Sequence, residues 1–371
     1  MVAAVAGAAH RIMIGVYLHI PFCAKLCPYC DFVKRKARGA DYDAFTQAII
    51  AEIESFDGPS EAGSIFFGGG TPSLLPPSRL GRIMDALNRR FALIEPEVTL
   101  ETNPDDVTPD RLKAWRGMGV NRISLGVQSF ADEVLAYLGR NHDARQAHQA
   151  CGETAACFDN WGVDLIFGAR PPEHWPDTLA ETARWDPPHI SAYGLTYEAG
   201  TPFAKRTGEA VDDEEYVAQY RMAEEVFSRH ARYEVSNFAR PGYESAHNLI
   251  YWRNHEYAGF GPGAYAYIGG VRSRNLSSLR GYLAAPGRKT EALPLTPREI
   301  RLETVIQHLR LRQGLDKRAY AERFGAPVSM DFGETLDALL KRGLITDEDG
   351  WLRPTRKGFE LNNEIGLALV G

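Results

Sequence analysis

From Ile14 to about Phe203, short apolar runs alternate with longer amphipathic segments. Residues 15–20, 64–67, 97–101, 122–125, 162–166 and 190–195 read as strands, being short, apolar and bounded by turn residues. Between them, residues 42–55 repeat apolar positions at helical spacing (Phe45, Ile49, Ile50, Ile53), and 80–91, 109–118, 132–138 and 144–156 also read as helices. Pro109 stands at the first turn of its segment, where a missing N–H is harmless. Strands alternating with helices predict parallel βαβ units in an α/β chain. Six units fall short of a closed eightfold barrel, and in parallel barrels chemistry gathers at the carboxyl ends of the strands. A cysteine-bearing loop, the run Gly68-Gly69-Gly70, Glu101, Gln128 and Asp164 all fall at or just past predicted strand ends.

After residue 205 the pattern changes. Residues 212–228 predict a helix with an acidic start, 233–237 a short strand, and 247–273 are rich in glycine and aromatics. Helices are expected at 298–311, 317–324 and 332–342, followed by two short strands about the hairpin signal Asp349-Gly350. This tail is similar to a winged helix. Its acids (Glu303, Glu322, Asp331, Glu334, Asp347, Glu348, Asp349) mix with its bases, which favours a structural or lid role over a nucleic-acid reader. The expected division is a disordered extension at 1–13, a barrel at 14–205, an extension at 206–290 and the winged-helix-like domain at 291–371. The first residues do not read as a secretory signal, because Arg11 follows the small apolar run instead of preceding it. No run approaches the roughly 20 apolar residues that a membrane span needs.

Composition describes an ordinary globular protein: 371 residues, 44% hydrophobic and 24% charged. A formal net charge of −6 argues against a general nucleic-acid binder. Five cysteines make no closed disulfide set, and Cys151 and Cys157 read as plain buried thiols on a helix. The other three, Cys23, Cys27 and Cys30, form the run C-A-K-L-C-P-Y-C. Three thiolates at this spacing can each take one iron of a cubane cluster and leave the fourth iron open to a small chelating molecule, whereas a sealed electron carrier uses four. A zinc site is the competing reading, but structural zinc usually closes with four ligands. His19, the one further donor nearby, sits in a predicted strand. Reduced thiolates suit a cytoplasmic location.

The stretch Y-L-H-I-P-F-C-A-K-L-C-P-Y-C-D-F, with the glycine run downstream, resembles the radical S-adenosylmethionine (SAM) superfamily. Within it, the match is to the oxygen-independent coproporphyrinogen III oxidases and their paralogues, the HemW heme chaperones. The resemblance implies a partial (β/α)6 barrel, a 4Fe–4S cluster on Cys23, Cys27 and Cys30, and SAM chelating the open iron, where reductive cleavage yields methionine and a 5′-deoxyadenosyl radical. It implies cofactor contacts from Tyr17 near the SAM carboxylate, Tyr29 in the cysteine loop, and Gly69, Gly70, Thr71 and Pro72 in the glycine motif. It adds Glu101 on the ribose or amine, Gln128, and Arg140 with Asp164 as partners of a second SAM contact in the oxidase branch. Read on residue chemistry alone, Glu101 is a helix N-terminal or solvated acid, Arg140 a cation at a helix end and Asp164 a buried, hydrogen-bonded carboxylate.

Two features separate the branches. The oxidase motif carries a further cysteine two residues past the third, where this chain has Phe32. The run His247-Asn248-Leu249-Ile250-Tyr251-Trp252 matches the chaperones' H-N-x-x-Y-W. An imidazole can ligate heme iron and aromatics can cover a porphyrin face, so His247, Tyr251 and Trp252 are heme-contact candidates, the alternative being a packed core histidine with two aromatics. The expected protein carries heme to an acceptor protein, a membrane-associated respiratory protein being one candidate. It would draw electrons from a flavodoxin or ferredoxin and bind no nucleic acid. The alternatives are a coproporphyrinogen III oxidase or another tetrapyrrole radical enzyme, and a heme carrier whose cluster is structural. One departure is Gly168-Ala169-Arg170-Pro171 in place of the family's G-L-P, which would set Arg170 near the cofactor.

Overall fold

Strand β1 (Ile14–Ile20) buries Ile14, Val16, Leu18 and Ile20 almost completely, and Gly15 and His19 on its other face are also covered. Burial on both faces is the mark of a parallel strand inside an α/β sheet. The computed structural model describes residues 13–371, so the extension expected at 1–13 lies, but for Met13, outside the described residues. Strands β2 (Glu61–Gly69), β3 (Ala92–Thr102), β4 (Arg122–Gln128), β5 (Trp161–Phe167) and β6 (His189–Gly194) follow β1 in chain order, each parallel to the last. Helices α1 (Gly39–Ser55), α2 (Pro77–Arg90), α3 (Pro109–Gly117) and α4 (Ala144–Cys157) connect them as expected. Helix α5 (Trp175–Trp185) was not expected: its buried face alternates Trp175 and Leu179 with Thr178 and Thr182, and the hydroxyls mask the apolar period.

The sheet does not stop at the sixth strand. After α6 (Asp213–Val226), β7 (Ala231–Arg232) and β8 (Asn237–Ala239) add antiparallel strands beyond β6. The strand expected at 233–237 is instead mostly the turn between them. There Ser236 N and Asn237 Nδ2 donate to the Glu234 carboxylate, taking the backbone out of the ladder. Helix α7 (Ala246–Trp252) precedes β9 (Tyr257–Phe260), which lies parallel to β1 on its other side. The antiparallel strands β10 (Tyr265–Ile268), β11 (Val271–Asn275) and β12 (Lys289–Pro294) complete that edge. Among the described residues the main sheet thus holds twelve strands.

A second hydrophobic cluster forms near the C-terminus. Val305 on α8 (Pro297–His308), Tyr320 on α9 (Lys317–Phe324), Leu336 and Leu339 on α10 (Val328–Lys341) and Ile365 on α11 (Asn362–Val370) pack together. Beside them lies a hairpin of β14 (Ile345–Glu348) and β15 (Trp351–Pro354), paired through β15 to β13 (Leu315–Asp316). Asp349 and Gly350 both take positive φ (52° and 83°), as a two-residue turn of matching twist requires. Among the described residues no helix is long and apolar enough to cross a membrane.

Candidate functional site

The carboxyl ends of β1–β6 open onto a cavity of about 510 Å³. Tyr17, Cys23, Cys27, Tyr29, Cys30, Gly69, Gly70, Thr71, Glu101, Gln128, Arg140 and Asp164 all line it. Pro72 does not; it is buried behind Thr71 at the start of a short 3₁₀ turn. Arg170 also stays outside, its guanidinium donating to the carbonyls of Glu209 (2.6 Å) and Ala210 (3.2 Å), so its expected influence on the cofactor site is withdrawn.

The cysteine loop is stitched to the glycine turn through backbone. Gly70 N donates to Ile20 O (2.8 Å) and Thr71 N to Phe22 O (2.7 Å). A side chain at Gly70 would meet Phe22 O at 2.7 Å and Cys23 Sγ at 3.0 Å, so only glycine permits this approach. His19 is not a metal ligand here. Its Nε2 donates to Val33 O (2.6 Å), which leaves Nδ1 to accept from the Tyr17 hydroxyl (3.0 Å) and ties β1 to the far end of the loop. Burial pushes the Cys23 thiol up to about 11, with Cys27 and Cys30 adding to the rise. Neutral thiols become ligands when a bound cation stabilises the thiolates.

Among the described residues no three His, Cys, Asp or Glu side chains converge on a single metal ion. A cubane does not ask for that, because it spreads its thiolates over separate iron corners. Three soft donors on one wall, beside polar space for a chelating ligand, fit such a cluster.

Opposite stand two half-buried acids. Glu101 Oε2 accepts from Gly69 N (3.1 Å) and Asp164 Oδ2 from Ser124 Oγ (2.8 Å). Burial, then the neighbouring Asp164, pushes the Glu101 carboxyl up to about 8, and burial raises Asp164 as well. Arg140 bridges the two halves. It donates from one terminal nitrogen to Asn103 Oδ1 (2.5 Å) and Gly126 O (2.9 Å), and from the other towards Cys27 Sγ (3.5 Å). Its Nε is buried without a partner, an unmet donor at the cavity wall. Gln128 ends β4 with φ 68°, a conformation costly for a residue with a side chain and found where function demands it.

Of the H-N-x-x-Y-W motif, Asn248 lines this cavity, while His247, Tyr251 and Trp252 do not. His247 is buried on α7, outside the cavity, accepting or donating at both nitrogens: Nδ1 with Ser64 Oγ (2.8 Å) and Nε2 with the Tyr251 hydroxyl (2.8 Å). Its ring stacks on Phe66 at 5.1 Å, and burial holds it neutral, down to about 3. Tyr251 packs edge-on to Tyr257, and Trp252 lies under the Arg310 guanidinium at 4.6 Å. In this arrangement His247, Tyr251 and Trp252 tie α7 to the barrel, and these three side chains do not line the cavity that the cysteines face.

Residues 17–182 match the Radical SAM superfamily, and residues 295–361 match the HemN C-terminal domain. The chain is 33% identical over 380 residues to the heme chaperone HemW of Bacillus subtilis, covering 97% of this chain and 100% of that one. It is 36% identical over 382 residues to the heme chaperone HemW of Mycobacterium tuberculosis (strain H37Rv), covering 96% and 95%. The chain belongs to the HemW family of the radical SAM superfamily. Coproporphyrinogen III oxidase (HemN) from Escherichia coli shares the fold, with a TM-score of 0.83 at 24% identity over 96% of this chain and 90% of that one.

Several residues of this HemW-family site escape a reading along the chain. Ser124, in register with Glu101, donates to Asp164 from the neighbouring strand, and Ser191 stands in register beside Asp164 on the other side. Asn103 donates to Thr71 Oγ1 (3.1 Å) while accepting from Arg140, coupling the glycine turn to the guanidinium. Tyr193 closes the wall at the end of β6. Nothing in a single strand announces these partners; the sheet register brings them together.

Proposed function

We propose that the chain acts as a HemW-type heme chaperone, holding a 4Fe–4S cluster on Cys23, Cys27 and Cys30, binding SAM beside it, and carrying heme to an acceptor protein. The observation that most supports the cofactor half is the convergence on one cavity of the three cysteines, the Gly69–Gly70–Thr71 turn, Glu101, Gln128, Arg140 and Asp164. When bound, cluster and SAM would supply one-electron reductive chemistry. The chain's own part is to bind and orient. Each carboxylate can accept two hydroxyl or ammonium donors, which suits a ribose and an amine, and Arg140 Nε offers a donor for an anionic or carbonyl group. Phe66 and Ile166 supply apolar wall that limits water near a reactive centre.

Heme carriage rests on the relatives named heme chaperone HemW. The acceptor would be a protein partner, and a reducing cytoplasm suits the thiolates. Residues 24–38 carry Lys25, Lys34, Arg35, Lys36 and Arg38 against the single acid Asp31, in a chain of net charge −6. A basic rim beside the cysteines favours an acidic electron donor such as a flavodoxin or ferredoxin.

Replacing Cys27 with Ala is expected to abolish the iron and acid-labile sulfide of the anaerobically reconstituted protein. Unchanged iron content in that variant would defeat the cluster assignment. Incubation with coproporphyrinogen, SAM and a reductant is expected to yield no protoporphyrinogen, and its formation would replace the chaperone reading with the oxidase one.

A further inference from the structure

If His247 is engaged at both nitrogens, a carried heme needs its ligand elsewhere. A second cavity of about 510 Å³ opens where the segment after α7 meets the C-terminal helices, within the size range of small-molecule sites. Arg253, His255, His308, Arg323, Phe324 and Trp351 line it. His308 Nδ1 donates to Thr304 O (2.8 Å), and since a carbonyl only accepts, the lone pair sits on Nε2. A backbone carbonyl holding one imidazole nitrogen while the other stays open is the usual support of a metal-binding histidine. The His255 ring makes no hydrogen bond among the described residues. Both imidazoles are held neutral, down to about 4, by burial and by the guanidinium charge of Arg323 and Arg253, and neutral imidazole is the ligating form.

Arg253 and Arg323 have no carboxylate within ion-pair distance among the described residues, and Arg323 lies over the Phe324 ring at 5.0 Å. The acid in the wall, Asp316, is already used: its Oδ1 accepts from Arg318 N (2.8 Å) and Ala319 N (3.1 Å) at the start of α9. Two guanidiniums without a carboxylate partner (Arg323 Nη2 donates to Asn254 O at 3.1 Å), two neutral imidazoles and an aromatic wall describe a site for a flat, apolar, metal-bearing dianion. We propose that this cavity binds heme, with His308 Nε2 as iron ligand, His255 as the second imidazole, and Arg253 and Arg323 facing the propionates. The inference rests on the heme-carrying reading above. It also gives the H-N-x-x-Y-W helix a part: His247 fixes α7 to the barrel, and Asn254 donates to Thr304 Oγ1 (2.9 Å), so the motif positions Arg253 and His255 against α8.

The test is hemin titration of the full-length protein, followed by the Soret band, for wild type, His308→Gln, His255→Gln, the double variant and Arg323→Glu. His308→Gln is expected to bind heme more than about tenfold more weakly, since even outer-shell partners of a metal ligand are worth that much. It should lose the imidazole-ligated spectrum, recover it on adding free imidazole, and keep its far-UV circular dichroism. Should His308→Gln lose helix content, Arg323→Glu decides by the same readout, because Arg323 is exposed and its weakened binding would report the propionate contact. Wild-type affinity and spectrum in all variants would overturn the site while leaving heme carriage standing. Absence of heme binding by the wild type would remove both.

Discussion

Gly70 shows how one absent side chain shapes the cluster loop. With Phe22 O 2.7 Å and Cys23 Sγ 3.0 Å from where a Cβ would stand, Gly70→Ala must push the loop or the turn away. The expected result is a folded protein that retains less iron after anaerobic reconstitution, read from iron and sulfide per chain. Glu101 makes a different prediction. Its carboxyl is held up to about 8 against an ordinary 4.5, so between those values the native state keeps a proton that the unfolded chain releases. Stability of the SAM-free protein should therefore fall as pH rises from about 4.5 to about 8 and level off above that. Glu101→Gln should flatten the slope of urea midpoint against pH and leave a smaller fall from Asp164, which is raised as well. An unchanged slope would mean that Glu101 is ionised in the native protein. Loss of the carboxylate should also weaken SAM binding by about tenfold to a hundredfold, the worth of a hydrogen bond to a charged group.

At the scale of elements, α7 depends on a residue far from it in the chain. Glu97, on β3, accepts from Ala246 N and His247 N (3.1 Å each) and from Ser245 Oγ (3.3 Å), capping the helix start from the barrel. It also lies 3.8 Å from the buried Arg122 guanidinium. Glu97→Ala should cost about 2 kcal/mol, since it orphans helix N–H groups and weakens the pairing of a buried cation; urea denaturation measures this. Helix α7 escaped the sequence because its run A-H-N-L-I-Y-W buries chiefly His247, which leaves no local apolar period; the local cap Ser245, accepting from Asn248 N (3.3 Å), is too weak a signal by itself. By contrast α9 was expected at 317–324 and is observed at Lys317–Phe324, because Asp316 caps it and Gly325 stops it with φ 73°.

Across the whole molecule, the barrel sheet continues into β7–β12, and the C-terminal cluster has its own core. Leu339 is fully buried there, and Leu339→Ala should cost about 2–5 kcal/mol through the cavity it leaves. Arg221, paired with Glu360 at 2.7 Å but half exposed, should cost under about 1 kcal/mol when replaced by Ala, because water already screens the pair. Chemical denaturation of the two variants side by side checks the contrast. The sequence by itself determined the six parallel strands, the cysteine spacing and the glycine turn. Each of these is a local pattern, set by side-chain periodicity and by backbone freedom at neighbouring positions. Only the tertiary structure decided that β9 joins the parallel strands, that Ser124, Ser191 and Asn103 complete the acid and guanidinium network, and that His247 faces the barrel interior and not an open cavity. Those relations arise from strand register and helix docking between residues 23 to 242 positions apart (Glu101 to Ser124 at the nearest, Gly15 to Tyr257 at the widest), and no local periodicity encodes such distances.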